Sequence, residues 1–337
     1  MIMCSVIRWS DNGVAHVIAR NMDWLEDTKS NLWILPQGIS RDGLAGKNSL
    51  KWISKFGSVV VAAYDVSSTD GINEKGLAGH ALWLADSDYG KRDENIPGLS
   101  ISLWIQFFLD NFATVDDAVK YVEKNEFQLL PVIAGTTGKK SQIHVMIEDR
   151  TGDAAIFQYI KGKPKIYHSN RYMIMTNDPP FDQQLENLKQ FKGFGGKKLL
   201  PGTTDSADRF VRAAYYQKNL PKPSNIRETI AGVISVARNV SQPFGIADPH
   251  RPNISSTRWR TVSDLTNMVY YFESTSSPNI IWVKLNKLDF IEGSHVKKLD
   301  LVDNPDRIGD ITNQFENATA FESLSPIKSR NSYLNYG

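Results

Sequence analysis

Cys4-Ser5-Val6-Ile7-Arg8-Trp9, Ser10-Asp11-Asn12-Gly13, Val14-Ala15-His16-Val17-Ile18-Ala19 and then Arg20-Asn21-Met22-Asp23-Trp24: this opening stretch decides how the rest of the chain is read. The first and third segments are rich in β-branched and apolar residues. The segment between them is a strong turn signal, so the stretch reads as a β-hairpin. Two loops compete. A two-residue Asn12-Gly13 turn pairs Cys4 with Asn21. A three-residue Asp11-Asn12-Gly13 loop, with Gly13 left-handed, pairs Cys4 with Arg20. Opposite residues share a face of the sheet. The second register is preferred, because it sets a thiol beside a guanidinium and puts Asp23 just past the strand end.

Cys4 is the one cysteine of the chain, which excludes an intramolecular disulfide and a multi-cysteine metal cluster. The six histidines show no HxxxH or HExxH spacing, so a zinc site has no support. A lone cysteine is usually a small buried hydrophobe, but here its position matters. Loss of Met1-Ile2-Met3 makes Cys4 the N-terminus, whether translation starts at Met3 or a short pro-segment is cut away. A terminal cysteine carries nucleophile and base on one residue. Its α-amino group has a reference pKa near ~7.7–8.0 and its thiol near ~8.5. The amine can take the thiol proton without a histidine. A nearby cation lowers the thiol pKa, and a nearby carboxylate holds the amine. Arg20 and Asp23 supply both.

Working outward, the chain of 337 residues is 41% hydrophobic and 23% charged, with a formal net charge of +2. This is a globular composition without the clustered basic face of a nucleic-acid binder. No apolar run reaches the ~18 residues of a membrane span. No signal peptide is visible, so the chain reads as cytoplasmic as written, or periplasmic if a signal was cut away. Further strands are expected at 57–64, 143–148, 154–159, 172–176, 266–273 and 280–284. Helices are expected at 98–111, 114–125, 206–218 and 224–236, with Thr114 an N-cap and Ala118, Val119 and Val122 on one buried face. Strands arriving without alternating helices argue for a layered α+β protein with antiparallel sheets. One domain, 4–337, is the simplest reading, with the polar tail from about 290 to 337 as an assembly arm.

Several local motifs follow in a telling order: Met3-Cys4-Ser5, Arg20 to Trp24, Asp70-Gly71-Ile72-Asn73-Glu74-Lys75-Gly76-Leu77, Thr176-Asn177-Asp178-Pro179, Leu200-Pro201-Gly202, Asp208-Arg209-Phe210-Val211-Arg212-Ala213 and Pro243-Phe244-Gly245. In these the chain resembles the choloylglycine hydrolase family, which includes penicillin V acylases and conjugated bile salt hydrolases. The resemblance implies a four-layer αββα N-terminal-nucleophile (Ntn) hydrolase sandwich with two antiparallel sheets, usually assembled as a homotetramer. It implies hydrolysis of a linear amide in a small-molecule substrate, with no metal or organic cofactor. Cys4 becomes the nucleophile and, through its amine, the base. Arg20 steadies the thiolate, Asp23 binds the amine, Asn177 donates to the oxyanion and Arg209 ties the site together. Arg212, three residues on, competes with Arg209 for that role.

One departure stands out. Gram-positive bile salt hydrolases carry an oxyanion asparagine a few residues after the Gly-Leu match, and Trp83 falls there. Trp24 and Trp83 are expected as aromatic walls of an acyl pocket, suited to a phenoxyacetyl group or an acyl chain. The tryptophan walls and a loop between Asn177 and Arg209 that is short for the Gram-positive enzymes both resemble the Gram-negative branch, whose penicillin V acylases also cleave N-acyl homoserine lactones. A bile salt hydrolase is the alternative activity. A silent acyl-ligand binder that keeps Met1-Ile2-Met3 is the alternative class.

Overall fold

The hairpin forms, but in neither expected register. In the computed structural model, which describes residues 4–133, 138, 140–245, 255–277 and 279–326, β1 (Cys4–Trp9) pairs with β2 (Val17–Trp24) so that Cys4 faces Met22 and Val6 faces Arg20. The loop is longer because the buried Asn12 organises it. Its Nδ2 donates to the carbonyls of Trp9 and Ala15, and its Oδ1 accepts from the amides of Val14 and Ala15. Gly13 does adopt the left-handed conformation, at φ +81°. The slip from the preferred register is two residues, and side chains alternate with period two. Cys4 and Arg20 therefore stay on one face, as diagonal neighbours. Asp23 lies inside β2, not beyond it.

The remaining strands, in chain order, are β3 (Asn31–Leu35), β4 (Ser40–Asp42), β5 (Lys51–Ile53), β6 (Ser58–Ala63), β7 (Ser67–Asn73), β8 (Ala78–Trp83), β9 (Gly98–Ser100), β10 (Gln128–Leu130), β11 (Ile143–Glu148), β12 (Ala154–Ile160), β13 (Lys163–His168), β14 (Ile174–Thr176), β15 (Ser256–Asp264), β16 (Val269–Ser274), β17 (Ile280–Lys284), β18 (Lys297–Leu299), β19 (Gly309–Asp310) and β20 (Glu316–Asn317). The helices are α1 (Trp104–Asn111), α2 (Val115–Lys124), α3 (Phe181–Leu188), α4 (Ser206–Lys218) and α5 (Ile226–Asn239).

Two large sheets result. One runs β14-β1-β2-β15-β16-β17-β19, the other β13-β12-β11-β8-β7-β6-β3-β18-β20. Both are antiparallel apart from the short β17–β19 pairing. Helices α4 and α5 pack on β1, α4 on β14 and α5 on β2, while α1 lies on β7 and β8 and α2 on β12. The sheets meet through β1 with β8 and β7 with β15. This is the expected four-layer αββα sandwich. Along β6, Val59 and Val61 enter the core between the sheets, while Val60 and Ala62 enter the core under α1 and α2. A strand buried on both faces needs no polar alternation, which is why Val-Val-Val reads as continuous. Each such side chain contributes ~1.5–3 kcal/mol on burial.

Helix α4 has the expected bounds. Thr114 caps α2 by accepting from the Asp117 amide. The helix expected from 98 begins only at Trp104, because Gly98–Ser100 pairs with β10 and Ser100 caps a short 3-10 turn. Strands β3, β4, β5, β7, β8, β9, β10, β13, β15, β18, β19 and β20 and helix α3 lie outside the expected set. Among the described residues, no helix is long and apolar enough to cross a membrane. The tail from 290 packs on its own chain as far as 326, through β18 against β3 and β20 against β18. Residues 1–3 and 327–337 lie outside the described residues.

Candidate active site

Cys4 opens β1 between β2 and β14 and is 1% exposed. Its two ends meet different groups. At the nitrogen, the backbone N–H donates to Asn177 Oδ1. Asn177 is fully buried just past β14, where the chain turns into α3. Its Oδ1 also accepts from Arg209 Nη2 at 3.0 Å, and its Nδ2 donates to the Trp83 carbonyl at 2.7 Å. The amide orientation follows from this: two donors face one atom and a carbonyl faces the other. Arg209, in the first turn of α4, donates through Nη1 to the Cys4 carbonyl at 2.7 Å. The same Nη1 lies 3.8 Å from Asp23 Oδ2. Arg212 instead caps the Pro201 and Thr203 carbonyls and does not reach Cys4, so Arg209 is the arginine at the site.

Asp23 is buried on the face of β2 that carries Asn21. Its Oδ1 accepts from Thr257 Oγ1 at 2.6 Å, and its Oδ2 has no hydrogen bond. Burial pushes its carboxyl up to about 6, against the pull of Arg209, Thr257 and Arg20. Thr257 is aimed at Asp23 by a β-bulge at Arg258, where the β15–β2 register shifts between Thr257 and Trp259. The bulge residue itself is fixed by its guanidinium on the Trp24 and Leu25 carbonyls. A bulge of this kind re-aims one side chain without breaking the sheet.

At the sulfur, hydrogen bonding is sparse. Arg20 Nη2 lies 3.8 Å from Sγ, while Met22 Sδ and the Asp23 carbonyl each lie 3.9 Å away. Arg20 Nη2 also donates to the Ala81 carbonyl at 2.9 Å, and the guanidinium stacks 4.5 Å over the Trp259 ring. Its Nε and Nη1 are buried without hydrogen bonds. Burial pushes the Cys4 thiol up, and this outweighs the lowering by Arg20. Beside Arg20, Asp70 Oδ2 meets His80 Nδ1 at 2.5 Å, and its Oδ1 accepts from Tyr270 Oη and from Thr261 Oγ1. Burial raises the Asp70 carboxyl, but His80 and Arg20 more than reverse this and hold it low. The buried anion therefore stays charged below the arginine.

The sulfur lines a cavity of about 80 Å³. Trp24 and Trp83 both border it, edge to face with ring centroids 6.4 Å apart. Cys4, Arg20, Trp24 and Trp83 thus line this cavity, Asp23, Asn177 and Arg209 are grouped around the Cys4 backbone, and Arg212 lies outside. Sequence reasoning missed Thr257, Trp259 and the Asp70–His80 pair, and it quoted Met22 without a role. Asp70 did carry a signal, as the first residue of a quoted motif. Thr257 had none, because β15 was not expected.

A buried thiol near the start of the chain, with Asn177, Arg209 and Asp23 grouped around its backbone, in a sandwich of two antiparallel sheets, is an arrangement that fits an Ntn amide hydrolase. The chain matches the linear amide C–N hydrolases of the choloylglycine hydrolase family over residues 4–308, and it belongs to that family. It is 45% identical over 329 residues to the penicillin V acylase of Pectobacterium atrosepticum, which covers 91% of this chain and 87% of that protein. The bile salt hydrolase/transferase of Clostridium perfringens is 24% identical over 327 residues, 88% of this chain and 96% of its own. The structure of penicillin V acylase from Agrobacterium tumefaciens superposes with a TM-score of 0.86 at 45% identity, covering 96% of this chain and 99% of that one.

Proposed function

We propose that the protein is a penicillin V acylase-like amidase whose nucleophile is Cys4, once the bond between Met3 and Cys4 is cut. The observation that carries this reading is that Asn177 accepts from the Cys4 N–H, Arg209 donates to the Cys4 carbonyl and lies 3.8 Å from Asp23 Oδ2, and Cys4 lines a cavity walled by Trp24 and Trp83. A peptide nitrogen is a poor base, since its lone pair is delocalised. A freed amine in the same place gains Asp23 Oδ2 as a partner and adds a positive charge next to the thiol.

The steps then balance. The amine takes the thiol proton, and Sγ attacks the amide carbonyl. The oxyanion is met by the second Nδ2 proton of Asn177, the first being held by the Trp83 carbonyl. One such donor is worth ~2.7–4 kcal/mol. Arg20 steadies the thiolate. The C–N bond breaks, and the α-ammonium protonates the departing amine. Water cleaves the thioester, which releases the carboxylate and restores the thiol. No step calls for a metal or cofactor.

Trp24 and Trp83 favour a flat or linear acyl group over a steroid, so N-acyl homoserine lactones are proposed as further substrates. The relatives at 45% identity favour this reading over a conjugated bile salt hydrolase. A homotetramer is proposed on the family resemblance and is checked by light scattering. The substrate test is a panel of penicillin V, an N-acyl homoserine lactone and glycocholate with purified protein. Release of phenoxyacetate at the highest kcat/KM is expected. Turnover of glycocholate alone contradicts the reading, and absence of all turnover moves the weight to a silent acyl-ligand binder.

A further inference from the structure

The β7–β8 ladder runs only from the Asp70–His80 pair to the Ile72–Ala78 pair. Beyond Asp70 the strands part. Ser67 and Ser68 stay on β6, and Ala81 to Trp83 stay on β11. The cavity at Cys4 enters this fork, bordered by Ser68 and Thr69 on one side and by Ala81 and Leu82 on the other. It therefore crosses the nine-stranded sheet. It starts at Cys4 and Met22, in the core between the sheets, and reaches Ile101 and Leu324, in the core under α1.

Leu324 comes from the C-terminal segment and is 5% exposed. Its backbone holds it there. Ser100 and Ser102 each donate a hydroxyl to the Leu324 carbonyl, at 2.7 and 2.8 Å, and the Leu324 amide donates to the Val66 carbonyl. Three residues earlier, Phe321 packs edge-on against Trp33, with centroids 5.2 Å apart. The anchors do not involve the Leu324 side chain, which belongs to the core under α1 at the place where the residue lines the cavity. A buried isobutyl group fixed at the end of an apolar passage is a length gauge.

We propose that Leu324 is a specificity-determining residue. It is the stop at the far end of a passage that threads a linear acyl chain through the sheet, and it sets the longest acyl group accepted. This rests on the amidase reading above. It goes beyond it by assigning the limit to a residue more than three hundred positions from the nucleophile.

The test is a series of N-acyl amides of one amine, from acetyl to dodecanoyl, with wild type, Leu324→Ala and Leu324→Phe. A pocket that gains or loses room for methylenes discriminates by about tenfold or more. Leu324→Ala is expected to raise kcat/KM for the longest chains relative to butanoyl by about tenfold and to move the optimum to longer chains. Leu324→Phe is expected to move the optimum the other way, to shorter chains. Should the alanine variant fold poorly, Leu324→Val at wild-type Tm gives a smaller shift of the same sign. Opposite shifts from the two variants are not produced by general destabilisation. Length profiles that coincide with wild type in all variants overturn the proposal and leave the amidase reading standing. A wild type that cleaves none of the series yet releases phenoxyacetate from penicillin V overturns the proposal alone, and one that does neither overturns both.

Discussion

The two ends of Cys4 sit in opposite surroundings. Its nitrogen and carbonyl meet Asn177 and Arg209, both fully buried, beside the carboxylate of Asp23. Its sulfur meets a thioether, one backbone carbonyl and one guanidinium nitrogen, none closer than 3.8 Å. One end is held by fixed dipoles and charges, and the other is left in apolar surroundings. The difference teaches where the control lies. Burial alone pushes the thiol up, so a thiol behind an intact peptide bond stays protonated. On the proposed reading, cutting the Met3–Cys4 bond places the base among partners already fixed before substrate arrives, which removes reorganisation from the reaction.

The comparison breaks most completely at the residue both ends share. Cys4→Ala is expected to lower penicillin V turnover by about 10⁴-fold or more, read as phenoxyacetate release. At the nitrogen end, Asn177→Ala removes the oxyanion donor and is expected to cost about 10²–10³ in kcat. KM should change little, because the donor acts in the transition state. At the sulfur end, Arg20→Met removes the cation facing Sγ. The thiol pKa then rises further, and alkylation of Cys4 by iodoacetamide at pH 7 is expected to slow by about tenfold per unit of rise. An unchanged alkylation profile would mean that Arg20 is structural.

The smallest expected effect sharpens the amine end by pH. Asp23 must be ionised to hold an ammonium, and its carboxyl titrates at about 6 beside an uncharged peptide nitrogen. A neighbouring ammonium lowers that value. The acid limb of kcat/KM is therefore expected to have its midpoint at or below about 6. Thr257→Val deletes a donor to the carboxylate, so the midpoint should move to higher pH while activity at pH 8 falls only a few-fold. A midpoint that stays put separates Thr257 from Asp23.

How much of this was legible follows the chemistry of the strands. Apolar strands such as β6 and β11 and the amphipathic helices α2 and α4 announce themselves through periodicity. Cys4, Arg20, Asp23, Asn177 and Arg209 are legible through the motifs that carry them, and they come together in one region. The strands that build the surroundings of the site do not. In β7, Ser-Ser-Thr-Asp-Gly-Ile-Asn is polar yet buried, because Ser68 binds Gln106, Asp70 binds His80 and Asn73 binds the Leu109 and Phe112 carbonyls. In β15, Thr257 faces Asp23, Arg260 pairs with Glu273 at 2.7 Å and Thr261 faces Asp70. A hydrophobic pattern cannot find strands whose interior is a hydrogen-bond network formed between distant segments. The hairpin register failed for a related reason. Asn12 satisfies the loop backbone with its own side chain, so the turn is longer than the Asn-Gly signal suggests.

The most direct test of the central claim is the intact mass and N-terminal sequence of purified protein, measured on the sample assayed with penicillin V. A chain that begins at Cys4 and releases phenoxyacetate is expected. A chain that keeps Met3 on Cys4 and turns over penicillin V at a comparable rate would contradict it, because the amine assigned as the base would not exist.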